Sequence, residues 1–329
     1  MGFNIIPNFA PSKTYHMKKH SFYYALILFA LILTSCSSGE KKNIFLNLEK
    51  GKIYKLETKS EQTITQTIMG FNNEMKTEIE ADIEYTVADI SPDKVYTLSS
   101  KFEGMKIKMD AAMMKINSED STGLNKIMHD AMAAFKGFSF SMKVTQAGKV
   151  KEISGADSLL CYLGQRMMTS DSVKGKDLNE TWSKYFNKNS LGANFENIFA
   201  YFPHQAVGEG DSWEKAYENS TIFPMKINSK FKLKKLTAEY AVIKSDATIE
   251  TSSSPVMEMG GMKMKYKIKG EQESTIKVDI NTGWIIESET IGKIKGEMAM
   301  DMGKLGNKSG MNISIPIKIE MKTSAKAIK

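Results

Sequence analysis

Cysteine, arginine and histidine are scarce in this chain, and each scarcity closes off a class of chemistry. The 329 residues hold 2 cysteines, Cys36 and Cys161, so a disulfide-stapled framework is excluded. Arg166 is the one arginine. Readers of nucleic acid depend on arginine forks to grip phosphates and guanine edges. The lysine-driven net charge of +7 therefore does not mark a nucleic-acid partner. The 4 histidines stand at 16, 20, 129 and 204; the first two fall in the cleaved leader read below, and His129 and His204 share no zinc-ligand spacing. No apolar run reaches the about 20 residues of a membrane-spanning helix. Neither a Gly-x-Ser-x-Gly elbow nor a Gly-x-x-x-x-Gly-Lys-Ser/Thr loop occurs, which removes the best-marked hydrolases and nucleotide binders. No catalytic residue, cofactor or resident metal is expected, and the chain reads as a non-enzyme.

What is present begins with an address. Lys18 and Lys19 precede a twelve-residue apolar run, 22–33, which ends in Leu33-Thr34-Ser35-Cys36. That run is too short to span a bilayer and reads as a cleaved signal over residues 1–35, with Met17 as the start. The Leu-Thr-Ser-Cys ending resembles the bacterial lipoprotein signal, the lipobox. The resemblance implies that Cys36 becomes the N-terminus, carries acyl chains such as palmitate, and makes the membrane a partner. It places the protein in the cell envelope, on the outer membrane. Ser37-Ser38-Gly39-Glu40-Lys41 holds a single early acidic residue, which favours the periplasmic face over surface display. Residues 36–50 are then the lipidated cysteine and its tether.

Period-two alternation, the mark of a half-buried strand, fills most of the rest. Met75, Thr77, Ile79, Ala81, Ile83, Tyr85 and Val87 alternate with charged residues. Phe138, Phe140, Met142 and Val144 lead into the turn Gln146-Ala147-Gly148. Phe223, Met225, Ile227, Ser229, Phe231 and Leu233 share a phase with lysines between them. Asp279-Ile280-Asn281-Thr282-Gly283-Trp284 is a hairpin signal. In the final strand Ile313, Ile315, Ile317, Ile319 and Met321 face one way. Pro316 cannot donate to a ladder, so this strand is expected at an edge or at a bulge. Residues 156–209 change regime. Asp157 and Asp177 suit helix N-caps, and Leu178, Trp182, Tyr185, Phe186, Phe195, Ile198, Phe199 and Phe202 recur at helical spacing. A weaker short helix is expected over 124–134. Cys161 sits among leucines and reads as a buried hydrophobe.

The resulting expectation is a mainly antiparallel β protein with a helical insertion, an α+β chain forming a curved sheet or incomplete barrel. Its parts are a first β unit over 51–155, the helical segment 156–209 and a second β unit over 210–329. The two β units open alike, at Gly51-Lys52-Ile53-Tyr54 and Gly210-Asp211-Ser212-Trp213, and each holds a similar hairpin, which suggests an internal duplication. The helices are expected over the open face or one end of the sheet.

With the lipobox, the Val144–Val150 hairpin followed by Gly155, the Phe202-Pro203 to Trp213 segment and the Asp279–Trp284 hairpin, the chain resembles a family of Bacteroidota lipoproteins of unknown function. More distantly, a lysine-rich curved sheet behind a lipobox is similar to the half-barrel lipid and lipoprotein carriers of bacterial envelopes. That likeness is architectural, and architecture alone does not give function. Two readings stay open: a carrier of a hydrophobic ligand, or an envelope interaction module with a filled core and no ligand. Two others are less favoured. A hydrolase would need paired carboxylates that 38 acidic residues cannot single out. A Cu(I) or Ag(I) site would use Met257, Met259, Met262 and Met264, which flank Gly260-Gly261. A type I′ turn there would set Met259 against Met262 and Met257 against Met264, and soft thioethers select Cu(I). The 23 methionines are spread widely, however, which fits adaptable apolar packing better.

Replacing the lipid-bearing thiol tests the address. Cys36→Ala should release or misprocess the protein, because stable anchoring takes two or more lipid signals. Mature Cys36→Ala protein still fractionating with membranes would remove the lipobox reading.

Overall fold

The alternation persists far beyond the about 5–6 residues of an ordinary strand, and the strands are correspondingly long. The computed structural model describes residues 40–328 except 69, 113, 124, 158–187, 220–224, 253–255, 260–261 and 302–311. The compact unit spans Lys41–Lys329. Its first half holds β1 (Ile53–Ile68), β2 (Phe71–Ile90), β3 (Val95–Ala111), β4 (Met114–Asn117), helix α1 (Asn125–Phe135), β5 (Ser139–Thr145) and β6 (Val150–Ser154). Helix α2 (Lys188–Ile198) precedes β7 (Ser212–Asn219), β8 (Met225–Leu236) and β9 (Tyr240–Thr251). Then come β10 (Val256–Met259), β11 (Met262–Asp279), β12 (Ile285–Asp301) and β13 (Asn312–Ile328).

All the described strands join one 13-stranded sheet in the order β6-β5-β3-β2-β1-β13-β12-β11-β9-β8-β7, with β4 on β3 and β10 on β11. Each pairing is antiparallel, as in β1 against β2 and β1 against β13. Among the described residues β6 and β7 do not pair, so the sheet is not closed into a barrel. The fold is thus two meanders joined where the first strand meets the last. That join corrects the expectation for the final strand. β13 lies in the interior, between β1 and β12. Its ladder with β1 stops at Gln66 opposite Ile317, one residue before Pro316, while β12 continues alongside with Glu297 opposite Pro316. The proline is tolerated because the strand is locally an edge there. Of the expected isoleucine stripe, Ile315 is buried and Ile317 and Ile319 are half-buried.

Within 156–209 the helix among the described residues is α2, of 11 residues. Leu178, Trp182, Tyr185, Phe186, Cys161 and the N-cap Asp177 lie outside the described residues. The weaker helix over 124–134 does form, as α1. Its Met132 packs with Phe102 and Met105 on β3 and with Phe135 at the end of the helix itself.

A short segment closes one end of the sheet. Ile44, Leu46 and Leu48 are buried, although their stretch reads as part of a tether. The Leu46 N–H donates to Gln146 O in the β5–β6 turn, and the Asn47 N–H donates to Thr282 O in the β11–β12 turn, both at 2.9 Å. Those turns belong to opposite meanders, so neighbouring residues of one segment clasp the two halves. The Tyr96 hydroxyl adds a 2.9 Å bond to Leu46 O. Lys42 forms a bridge with Val207. The Tyr201 hydroxyl donates to Gly283 O at 2.8 Å, and Trp213 Nε1 donates to Tyr201 O at 3.1 Å. Phe195 of α2 packs at 5.5 Å from Phe140, and Phe199, just past the helix, at 5.7 Å from Trp284. Gly283 is required here: its φ is +67°, and a side chain would run into the Phe45 backbone.

The opposite part of the sheet curls through close approach of β11 and β12. Gly270 lies opposite Ile294 and Gly296 opposite Ile268. A Cβ on Gly270 would stand 2.8 Å from Ile294 Cα, so the crease needs glycine. Outward positions carry lysine and glutamate in exposed pairs such as Lys59 with Glu61 and Glu78. Lys106 and Lys108 together hold the Glu119 carboxyl down at about 2. Such pairs are solvent-screened and add little stability.

The clasp predicts an uneven mutational response. Leu46→Ala, at a fully buried position, should cost about 2–5 kcal/mol in urea unfolding. Phe71→Ala, 76% exposed at the far turn, should stay within about 1 kcal/mol. Equal losses would show that the segment does not organise this end.

Candidate functional site: the inner face of the open sheet

Register converts the alternation into rows of side chains that cross the sheet. One row, nearest the clasped end, reads Met105, Ala81, Thr58, Ala325, Ser288, Ile276, Ile243 and Leu233. The next is a hydroxyl row: Ser60, Thr323, Thr290, Ser274 and Ser245 lie on five adjacent strands. Its members bond to one another, Ser60 to Thr323 at 3.2 Å and Ser274 to Thr290 at 2.9 Å. The following row interleaves Gln62, Gln272, Ser229 and Lys215 with Met321, Gly292 and Ala247. Beyond it the face turns apolar again. Ile227, Ala247, Ile249, Tyr266, Ile268 and Ile294 form a second buried cluster, flanked by Tyr217, Met225, Ile319 and Met321. A polar belt thus separates the filled core of the clasped end from a second apolar wall.

One charged side chain stands in this inward phase among the described strand residues: Lys215 on the edge strand β7. It is half-buried, directly opposite the buried Ser229. Burial alone pushes its amine below the ordinary lysine value. Two residues on, burial pushes the Tyr217 hydroxyl up, against a hydrogen bond with Ser229 that pulls it down. Sequence reading singled out neither residue. The signal was present: a lysine falls in phase with Trp213 and Tyr217 on an alternating strand, where glutamates hold the other phase.

A second unusual feature lies inside the filled core. The Tyr85 hydroxyl, Ser100 Oγ and Trp284 Nε1 are buried without a hydrogen-bond partner. Tyr85 and Ser100 are cross-strand partners, and the Tyr85 and Trp284 rings meet edge-on at 5.3 Å. Burial drives the Tyr85 hydroxyl above its usual range. Orphaned buried donors of this kind carry a desolvation cost.

Clefts of about 480, 510 and 600 Å³ occur along the sheet. Each has charged lining, for example Lys76, Glu78 and Lys108 in the first and Glu57, Lys59 and Glu287 in the third. None is an enclosed apolar cavity. Cys36 lies outside the described residues. β10 and β11 set Met257 opposite Met264 and Met259 opposite Met262, the register a two-residue turn requires. The side chains of these four are outside the described set. Among the described residues no group of three or more His, Cys, Asp or Glu is placed to hold a metal ion. His129 is bonded to Asp130 at 3.2 Å on the outside of α1, and His204 is exposed. No helix of the described residues is long and apolar enough to cross a membrane.

These features define a two-faced open antiparallel sheet with one end filled and an amphipathic inner wall at the other. The chain belongs to a family of unknown function (DUF6263), which matches residues 93–285. No curated protein matches it. Among solved structures it is similar to one titled lipid-protein interactions in lipovitellin, at 9% identity and a TM-score of 0.44, over 86% of this chain and 26% of that chain. It therefore spans about a quarter of that chain's length. It is also similar to the translocator domain of autotransporter NalP from Neisseria meningitidis, at 5% identity and a TM-score of 0.17, covering 93% of this chain and 97% of that one. OccK7 (OpdD) of Pseudomonas aeruginosa gives 8% identity and 0.18, covering 84% and 99%. Likenesses this weak do not bear on the site.

Removing an unpartnered buried hydroxyl should be nearly free. Tyr85→Phe is expected to leave thermal stability unchanged or slightly raised. A loss above about 1 kcal/mol would mean that the hydroxyl is satisfied in solution by water or by a bound molecule.

Proposed function

We propose that this protein is a non-enzymatic, lipid-anchored envelope protein that holds an apolar or amphipathic molecule against the inner face of its sheet. The observation that carries this reading is the contrast between the two faces. The outward phase is lysine and glutamate, whereas the inward phase beyond the polar belt is isoleucine, methionine and tyrosine on six neighbouring strands. A membrane-spanning barrel needs the reverse, an apolar outer band. Methionine-bearing walls adapt to varied shapes, and polar groups beside an apolar wall fix orientation. Anchoring is assigned to Cys36, on the periplasmic side of the outer membrane. The similar strand order of the two meanders, each with a hairpin turn on the clasp, supports an origin by duplication.

The second reading is an interaction module without a ligand. It is favoured by the filled clasped end, with Leu46, Tyr85, Tyr96, Phe202 and Leu233 all fully buried, and by the two unpaired edge strands β6 and β7, since a free edge can accept a further strand. Copper binding by the four methionines and hydrolysis are less favoured.

Native mass spectrometry of the protein extracted from its own membrane, released from detergent, separates the two readings. Carriage predicts a non-covalent adduct of lipid mass on a sizeable fraction of molecules, lost on gentle activation. A bare acylated chain that instead co-purifies with a stoichiometric protein partner would establish the interaction module.

A further inference from the structure

The strap that clasps the two meanders has an outer side as well as an inner one. Ile44, Leu46 and Leu48 are buried, and Asn43, Phe45 and Asn47, which alternate with them, are exposed. Phe45 is thus a large apolar side chain left in solvent, 37% exposed. Two more stand at the same end of the sheet: Ile53, 53% exposed, and Ile328, 43% exposed. These two are diagonal neighbours on adjacent strands, because Ile328 pairs with Lys55 and Ile53 lies two residues back along β1. Ile328 also stands two residues past Lys326, the partner of Glu287. It therefore approaches the β11–β12 turn, where the Phe45 backbone lies against Gly283.

Further along the strands the same outward phase is charged: Lys55, Glu57, Lys59 and Glu61 on β1, Lys322 and Lys326 on β13, and Glu84 on β2. The charge gives way to isoleucine at the rim. Nearby ions are engaged with one another, as in Lys41 with Asp211 at 3.0 Å and Lys50 with Asp89 at 2.6 Å. The rim is thus apolar rather than basic. Grouped exposed apolar side chains of this kind mark a contact with a protein or a membrane, and the reach of the chain decides between them. Lys41 is held by Asp211, and Lys42 by its bridge to Val207. Five residue steps separate Lys41 from Cys36, at most about 18 Å of extended chain. The two other exposed large apolar residues lie elsewhere. Ile291 stands in mid-sheet between Glu273 and Lys322. Phe71 is at the far turn, beyond the 16 residues of β1, which is about 50 Å of strand.

We propose that the clasped end is a bilayer-contact surface, on which Phe45, Ile53 and Ile328 enter the headgroup layer of the membrane that holds the acyl chains of Cys36. This rests on the anchoring part of the reading above and is independent of whether a ligand is carried. The apolar rim adds a second attachment beside the lipid, and stable association takes more than one such signal. It also fixes orientation: the strands stand off the membrane, and the turn at Phe71 faces away from it.

The test uses the full acylated chain on vesicles of phosphatidylethanolamine and phosphatidylglycerol, with the photo-crosslinking residue p-benzoylphenylalanine in place of Phe45 or of Phe71. Flotation reports anchoring, and mass spectrometry of the irradiated protein reports phospholipid joined at each position. Position 45 should crosslink lipid at least about tenfold more than position 71, which a tether of about 18 Å cannot bring to the bilayer if the clasped end faces it. Ile53→Lys combined with Ile328→Lys should keep flotation and the unfolding midpoint, since both positions are exposed, and should lower the lipid yield at position 45 severalfold. Chains that float but crosslink equally at the two positions, or that join a second copy of the chain at position 45 in place of lipid, would overturn the contact surface while leaving anchoring intact. So would an undiminished yield in the double variant. A chain that carries no acyl group and does not float would overturn the anchoring reading and this inference with it.

Discussion

Two backbone hydrogen bonds from adjacent residues, Leu46 to Gln146 and Asn47 to Thr282, hold the hairpin turns of the two meanders to one short segment. In the sheet order five pairing steps separate β5 from β12, about 24 Å if the sheet were flat. The clasp spans them with one peptide unit. The sheet must therefore bend around Ile44, Leu46 and Leu48, and the aromatic packing of Tyr85, Phe195, Phe199 and Trp284 follows from that bend. Gly283 is fixed by the same contact. The rest of the inner face inherits its concavity from this end.

The molecule manages its two faces in different ways. Outside, lysine and glutamate pair across strands at exposed positions, where each pair is worth little but together they keep long strands soluble and discourage edge-to-edge association. Inside, hydroxyls near the middle of the strands bond to each other across the ladder, so they need neither water nor ligand. That leaves the few inward polar groups without such partners as the informative ones. Among the described residues they include the three orphaned donors of the filled core and the Lys215 amine on β7.

Much of this was legible in the chain. The alternation of β2, β8 and β13, the hairpins at Gln146–Gly148 and at Asp279–Trp284, and the phase of Met225, Ile227, Ser229, Phe231 and Leu233 are local signals that long strands repeat many times. The sheet order was not legible, because β1 and β13 are paired across the whole length of the chain and leave no local mark on either. Pro316 therefore suggested an edge, when the true cause is a partner that ends one residue earlier. The clasp was hidden for a related reason: Ile44, Leu46 and Leu48 alternate for too few residues to stand out from a tether. Lys215 was visible as a residue in phase with Trp213 and Tyr217, but a lysine among many lysines draws notice only when register shows that its neighbours face the other way.

The junction of β1 with β13 also sets the timing of folding. Twelve residue pairs join these strands, and none can form until the last residues of the chain are available. Contacts of such sequence separation slow folding. Until then the first meander keeps β1, a 16-residue strand, with one side unpaired, a template on which other strands can add. A chain of this design has to be delivered whole before its sheet can close over that edge, and any helper that meets it beforehand will find β1 waiting for a strand.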